Sequence, residues 1–74
     1  MAKGLDNWCY KDVANFLKEN GFEFQEYRKG SHEAWINRTT NAIVDIDFHG
    51  TKSFPIRTLE TMIRQSKINK KTWM

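Results

Sequence analysis

Three short runs of alternating side chains lie between residues 22 and 49, and they constrain the fold more than any other feature. The clearest is AIVDIDFH, residues 42–49, which has one apolar face and one face that carries two acids. Successive strand side chains point to opposite faces, so this pattern predicts a half-buried β-strand. FEFQEYRK and HEAWIN predict two more strands, and a slip in the first near Glu26 and Tyr27 indicates a β-bulge. Their short connections predict an antiparallel meander.

A first amphipathic helix is predicted before the strands. In residues 10–20 the apolar side chains recur every three or four positions, which is the period of a helix with one buried face. Gly21 is expected to end this helix in left-handed geometry. Asp6 or Asn7 is the predicted N-cap.

A second helix is predicted to begin at Pro55, because proline suits the first helical turn, and to end near Lys67. Its apolar stripe consists of Ile56, Leu59, Met62 and Ile63. Asn69 is expected to cap a final short turn through KKTW, and Trp73 is expected to fold back on the core.

These elements predict an α+β two-layer sandwich of αβββα order, with a three-stranded antiparallel sheet and two helices on one face. Double-stranded-RNA-binding domains share that order, although a fold does not define a function. The 74 residues, 1–74, are expected to form a single domain. A domain of this size buries a modest core, so any chemistry should lie at its surface.

Charge and composition narrow the classes of function. Residues 1–49 hold six Lys/Arg and eight Asp/Glu, whereas residues 50–74 hold six Lys/Arg and one Glu. A cationic C-terminal third suits a polyanion such as nucleic acid, and a solvated lysine-rich surface would give the same pattern. The single cysteine excludes an internal disulfide. With no membrane-span-length apolar run and no secretory signal, we expect a cytoplasmic protein.

The stretch RKGSHEAW, residues 28–35, contains the main candidate for chemistry. His32 follows a predicted turn, and histidine can exchange a proton near neutral pH. Gly30 would let a phosphate approach closely, Ser31 could bind its oxygen, and Arg28 and Lys29 would balance its charge. On this string alone, an ordinary solvated turn histidine is the simpler interpretation. Ser31 and His32 do not suggest a hydrolase pair, because adjacent strand residues point apart.

Several other residues offer weaker candidates. His49 could be a second acid–base group or a phosphate contact beside Lys52, or simply a loop histidine at a strand end. Tyr27 is the best candidate for stacking on a base, whereas Trp35 is expected to pack in the core. The cysteine and histidine spacings match no compact zinc site. Asp45 and Asp47 could hold magnesium but are more typical of a solvent-facing strand.

The order of these pieces resembles the HicA family of toxins. From about residue 11 to 73, the chain contains in this order FLKENGFEF, KGSHEAW, a hairpin, VDIDFHG.K and P..TLETMIRQ. HicA toxins are small mRNA interferases with a fold similar to the double-stranded-RNA-binding domain. The resemblance implies that His32 is catalytic, that Gly30 and Ser31 shape the site, and that a HicB-type antitoxin blocks it.

Three features depart from the family pattern. The segment from Gly21 to Gly30 is one residue longer than usual, consistent with the bulge. Asp45 and Asp47 replace more neutral residues and would repel phosphate near an RNA site. Lys67 stands where the last helix usually ends in glycine.

We therefore expect a metal-independent endoribonuclease that acts on mRNA, needs no cofactor and is neutralised by a HicB-type antitoxin. The expected catalytic residue is His32, and the expected RNA-binding residues are Arg28, Lys29, Gly30, Ser31, His49 and Lys52. A non-catalytic RNA-binding or protein-binding module is the alternative. His32 and Trp35 are three positions apart, so they point to opposite faces of the predicted strand and only one of them points inward. We expect Trp35 to point inward and His32 outward.

Overall fold

A computed structural model describes residues 7–47 and 52–73. The elements follow the chain in this order: α1 Tyr10–Glu19, β1 Phe22–Tyr27, β2 His32–Asn37, β3 Ala42–Asp47, α2 Ile56–Ser66 and α3 Lys70–Trp73. The predicted α+β fold is confirmed. Predictions on Asp6, Phe48, His49 and Gly50 fall outside the described residues.

The strands form one antiparallel sheet in the order β1-β2-β3. The register pairs Phe24 with Trp35 and then Glu26 with Ala34, so Gln25 is the extra residue of a bulge. The predicted bulge is confirmed, slightly earlier than its predicted place. Because an extra residue reverses the strand's parity, Tyr27 lies on the same face of the sheet as Phe24.

Among the described residues, one face of the sheet is covered by the helices and the other face is left open. Trp35 and Val44 are paired on the covered face and are buried there. The helices bury Val13, Leu17, Leu59 and Met62 in the same core. Burial of apolar area is the dominant favourable contribution to such a fold. The helices α1 and α2 therefore lie on one face of the sheet, as predicted. The expected burial of Ile56 is wrong, because this residue at the start of α2 is 50% exposed.

The helix ends combine expected and unexpected caps. The N-cap of α1 is Cys9, whose backbone N–H donates to Asp12 Oδ2 at 3.0 Å, so the predicted cap at Asn7 is wrong. Gly21, with φ of +89°, and Lys67, with φ of +62°, follow the ends of α1 and α2 in left-handed geometry. Asn69 Oδ1 accepts from Lys71 N–H at 2.8 Å, as expected for a cap.

The C-terminal turn closes the core. Trp73 is buried and stacks on Phe16, with ring centroids 4.2 Å apart. Its Nε1–H donates to Ser66 Oγ at 3.3 Å. The expected return of Trp73 to the core is confirmed. Within the described residues, none of the helices has the length and apolar character that crossing a membrane requires.

Candidate active site at the turn between β1 and β2

A tight turn places the candidate histidine at the first position of β2. Arg28 N–H donates to the His32 carbonyl at 2.8 Å, and His32 N–H donates to the Lys29 carbonyl at 3.3 Å. Gly30 has φ of +67°, which residues with a Cβ adopt at a cost. A Cβ there would meet no atom within 4 Å. Backbone conformation therefore accounts for glycine at this position, and the surface above it is open.

His32 points to the open face of the sheet. Trp35 lies on the covered face, and residues three positions apart in a strand lie on opposite faces. The expected outward orientation is confirmed. The His32 side chain is 45% exposed, so it is held by the strand and is also accessible to a ligand.

Two carboxylates of β3 flank the imidazole. His32 Nδ1 lies 3.3 Å from Asp45 Oδ1, and His32 Nε2 lies 4.0 Å from Asp47 Oδ2. The sheet register explains both contacts, because His32 is paired with Asp47 and lies diagonal to Asp45. A carboxylate at Nδ1 favours the tautomer that carries its proton there. Nε2 is then the nitrogen available for exchange with a substrate.

Ser31 links the turn to β3. Its Oγ donates to Asp47 Oδ1 at 2.6 Å. The Ser31 hydroxyl is therefore hydrogen-bonded to a carboxylate and not to His32. This agrees with the expectation that adjacent strand residues point apart. A phosphate that binds Ser31 would have to compete with Asp47 for this proton.

The predicted cationic residues are exposed around the turn. Arg28 Nε lies 3.7 Å from Glu26 Oε2, a solvent-exposed ion pair of small energy. Lys29 is exposed within the turn itself. Lys52 is exposed, and its neighbour Ser53 is paired with Cys9, which brings this segment to the start of α1.

The open face is acidic around His32. Asp45 and Asp47 on β3, and Glu23 and Glu26 on β1, lie on this face by register. Glu23 Oε2 forms a surface ion pair with Arg38 Nε at 3.2 Å. A phosphate chain that crossed the sheet would meet these carboxylates. The turn, with Arg28 and Lys29, offers a more favourable approach to His32.

The covered face holds an ionisable group that the sequence interpretation missed. Glu33 is 7% exposed, and its Oε1 accepts from Tyr10 Oη at 2.7 Å and from Trp35 Nε1 at 2.9 Å. Burial, and then the bond to Glu33, raises the pKa of Tyr10 to about 12. Strand parity could have identified this residue, because an acid two positions from an inward Trp35 must also point inward.

A groove runs between α1 and β1 on the covered side. It has a volume of about 480 Å³, and aromatic, lysine and acidic side chains line it. A smaller cavity of about 330 Å³ is lined by Tyr10, Tyr27, Ser31 and Glu33. The two cavities share three residues, so the groove continues to the turn that holds His32. Trp35 is buried, as expected, and Tyr27 is 71% exposed, which leaves its ring accessible.

Neither cysteine nor acidic residues form a metal site in the described part of the chain. No group of three or more His, Cys, Asp or Glu residues there could hold a metal ion. Cys9 Sγ donates to Asp12 Oδ2 at 3.2 Å, at the beginning of α1. His49 lies outside the described residues.

Comparison with known proteins gives one family match. A family model described as "HicA toxin of bacterial toxin-antitoxin" matches residues 10–68, which include every strand, α1, α2 and the turn before His32. No match was found among curated proteins or among solved structures.

Proposed function

Since this chain belongs to the HicA toxin family of bacterial toxin–antitoxin systems, we propose that it is a cytoplasmic toxin that cleaves mRNA. The observation that supports this most is the position of His32. It lies at a turn, half-exposed, with Asp45 Oδ1 3.3 Å from its Nδ1. This arrangement leaves Nε2 for proton exchange, which is the chemistry that a metal-independent ribonuclease needs.

The proposed reaction is attack of the ribose 2′-oxygen on the adjacent phosphorus. The 2′-OH loses its proton as the new P–O bond forms, and the 5′-oxygen gains a proton as the old P–O bond breaks. His32 Nε2 would take the first proton or give the second. One positioned acid–base group contributes about 10²- to 10⁴-fold in rate.

Charge stabilisation would come from the turn. Arg28, Lys29 and backbone N–H groups near Gly30 would hold the phosphate oxygens, with Ser31, Lys52 and His49 as further proposed contacts. The open space above Gly30 is consistent with an approaching phosphate. Asp45 and Asp47 oppose this binding, so we expect weak affinity for RNA and slow turnover.

The proposed partner is a HicB-type antitoxin that covers the open face. That face carries apolar side chains between its acids, among them Ile36 and the 38% exposed Ile43. A protein packed against them would also bury His32. Because the site is shallow, contact with one surface is enough to block it.

The acidic surroundings of His32 favour one alternative. A domain whose histidine is flanked by Asp45 and Asp47 suits a protein partner better than a phosphate chain. The same fold would then be a non-catalytic protein-binding module in which His32 is a contact residue, whereas a non-catalytic RNA-binding module would have to hold RNA away from these acids.

The test compares wild type with His32→Ala on a single-stranded RNA substrate. We expect the cleavage rate to fall about 10²- to 10⁴-fold in the variant and growth arrest on expression to disappear. Thr39→Ala is the matched control, since it changes an exposed turn at the opposite end of the sheet. Circular dichroism should show both variants folded.

Cleavage that persists unchanged in His32→Ala would exclude the catalytic role of this residue. If the wild-type protein binds RNA but leaves it intact at every pH tested, the binding module is the correct function.

A further inference from the structure

We propose that the groove between α1 and β1 binds an unpaired nucleobase that carries an amino group, next to the nucleotide cleaved at His32. This inference rests on the proposed ribonuclease function and locates part of its substrate. It assigns a role to Glu33, Tyr27 and Trp35 on the face of the sheet opposite the candidate histidine.

The path of the RNA supports this location. Asp45 and Asp47 flank His32 on the open face, so a phosphate chain is disfavoured there. The smaller cavity reaches from Glu33 to Ser31, which is adjacent to His32 in the chain. A strand that passes over the turn at Arg28 and Lys29 can therefore place one nucleotide at His32 and its neighbour in the groove.

The walls of the groove provide aromatic surface. Phe24 is 41% exposed, and its ring centroid lies 5.0 Å from that of Tyr27. The bulge at Gln25 brings Tyr27 to this side of the sheet. Exposed aromatic rings beside a groove are the usual surface on which unpaired bases stack.

The rim of the groove is cationic. Lys11 and Lys18 are exposed residues of α1 that line it, and Lys18 Nζ lies 5.9 Å from the centre of the Trp35 ring. These residues are seven positions apart, two helical turns, so they lie on one side of α1. Lysines in such a row attract a phosphate backbone, which is an argument for a nucleotide over an apolar peptide.

Glu33 provides the selectivity. Its Oε1 accepts from Tyr10 Oη and Trp35 Nε1, and neither bond uses Oε2. Glu33 lines both cavities, so Oε2 is the carboxylate oxygen available to a ligand there. An ionised carboxylate only accepts hydrogen bonds, and it therefore pairs with the amino groups of guanine, adenine and cytosine. Uracil presents carbonyl oxygens beside its single N–H, and these would be repelled.

The experiment measures the affinity of the full chain for 2′-O-methyl oligonucleotides, which bind but cannot be cleaved at the 2′-oxygen. Five-residue oligouridines with G, A, C or U at the centre are compared by fluorescence anisotropy. We expect the three amino-bearing centres to bind more tightly than uridine. Tyr27→Ala should weaken all four by about 5- to 150-fold, the range for loss of one stacked base.

Glu33→Gln is the decisive variant. The donors Tyr10 and Trp35 hold the Oε1 position, so the glutamine amide should keep its oxygen there and present its NH₂ in the place of Oε2. We expect the preference to reverse towards uridine. Lys67→Ala, outside the groove, is the control and should leave the order of the four oligonucleotides unchanged.

An unchanged order of preference in Glu33→Gln would overturn the inference, even if RNA cleavage by the wild type is demonstrated. Suppose instead that Tyr27→Ala and Glu33→Gln bind the oligonucleotides as the wild type does but no longer co-purify a cognate antitoxin. The groove would then bind a protein, and this result would also overturn the inference. Failure of the proposed function is seen separately, as absence of cleavage of unmodified RNA.

Discussion

His32 and Glu33 are adjacent in the chain and lie on opposite faces of one sheet. His32 is half-exposed beside two carboxylates, whereas Glu33 is almost fully buried and accepts hydrogen bonds from two neutral donors. Their environments thus differ in kind: His32 lies among hydrogen-bond acceptors, whereas Glu33 is an acceptor among donors. Two consecutive residues after one tight turn thus present chemically different side chains on opposite faces of the sheet.

The largest expected effect concerns the buried side of this comparison. Trp35→Ala should lower the free energy of unfolding by about 3–5 kcal/mol, because it opens a cavity and removes a donor to Glu33. Urea denaturation measures this loss. Tyr27→Ala, on the same face but exposed, should change stability by less than about 0.5 kcal/mol. Similar losses in both variants would mean that the groove is not separate from the core.

Tyr10→Phe tests the hydrogen bond to Glu33 without creating a cavity. We expect a loss of about 1–3 kcal/mol in the free energy of unfolding at neutral pH, since a buried carboxylate then lacks one donor. Thermal denaturation of the two proteins provides the measurement. Equal stability would show that solvent replaces the tyrosine hydroxyl at Glu33.

The same pair of proteins should respond differently to high pH. The folded state raises the pKa of Tyr10 from 10.0 to about 12, so the neutral phenol is favoured by folding. The stability that this provides is fully present below pH 10 and is lost as the pH rises to about 12. The difference in Tm between wild type and Tyr10→Phe should therefore shrink over this interval. A difference that is constant between pH 9 and 12 would contradict the buried bond.

The turn that separates the two residues should depend on Gly30. Gly30→Ala is expected to cost about 1–2 kcal/mol, because φ of +67° is unfavourable for a residue with a Cβ although no atom obstructs one. Gly30→Asn should cost less, since asparagine tolerates this conformation better. Urea denaturation of the wild type and the two variants distinguishes these cases. An equal loss of stability in both variants would mean that steric crowding, and not backbone conformation, requires glycine at this position.

The smallest effect is expected on the open face. Asp45→Asn should reduce the rate of RNA cleavage by about two- to fivefold, because the contact with His32 is half-exposed and solvent screens it. Affinity for RNA should rise slightly as one negative charge is removed. Single-turnover kinetics separate these two effects. A fall in rate of a thousandfold would mean that Asp45 is as important to the chemistry as His32.

Local patterns in the sequence were sufficient for most of the architecture. Strand periodicity placed β2 and β3, and Gly21 and Lys67 marked the ends of α1 and α2, because these features depend on neighbouring residues. The family resemblance then drew attention to His32, which its own string did not distinguish from an ordinary turn histidine. Ile56 was assigned to the core incorrectly, because helical spacing does not show which turns of a helix the rest of the protein covers.

By itself, the sequence determined the order of elements and the turn at Gly30, and it left two orientations open for His32. The burial of Trp35 in the folded protein decided for the outward one. The tertiary structure decided which groups surround that histidine and what lies behind it. Asp45 reaches His32 through strand register, and Tyr10 reaches Glu33 across 23 positions of the chain. Contacts at such separations depend on how strands pair and helices pack, and one extra residue at Gln25 is enough to move Tyr27 to the other face.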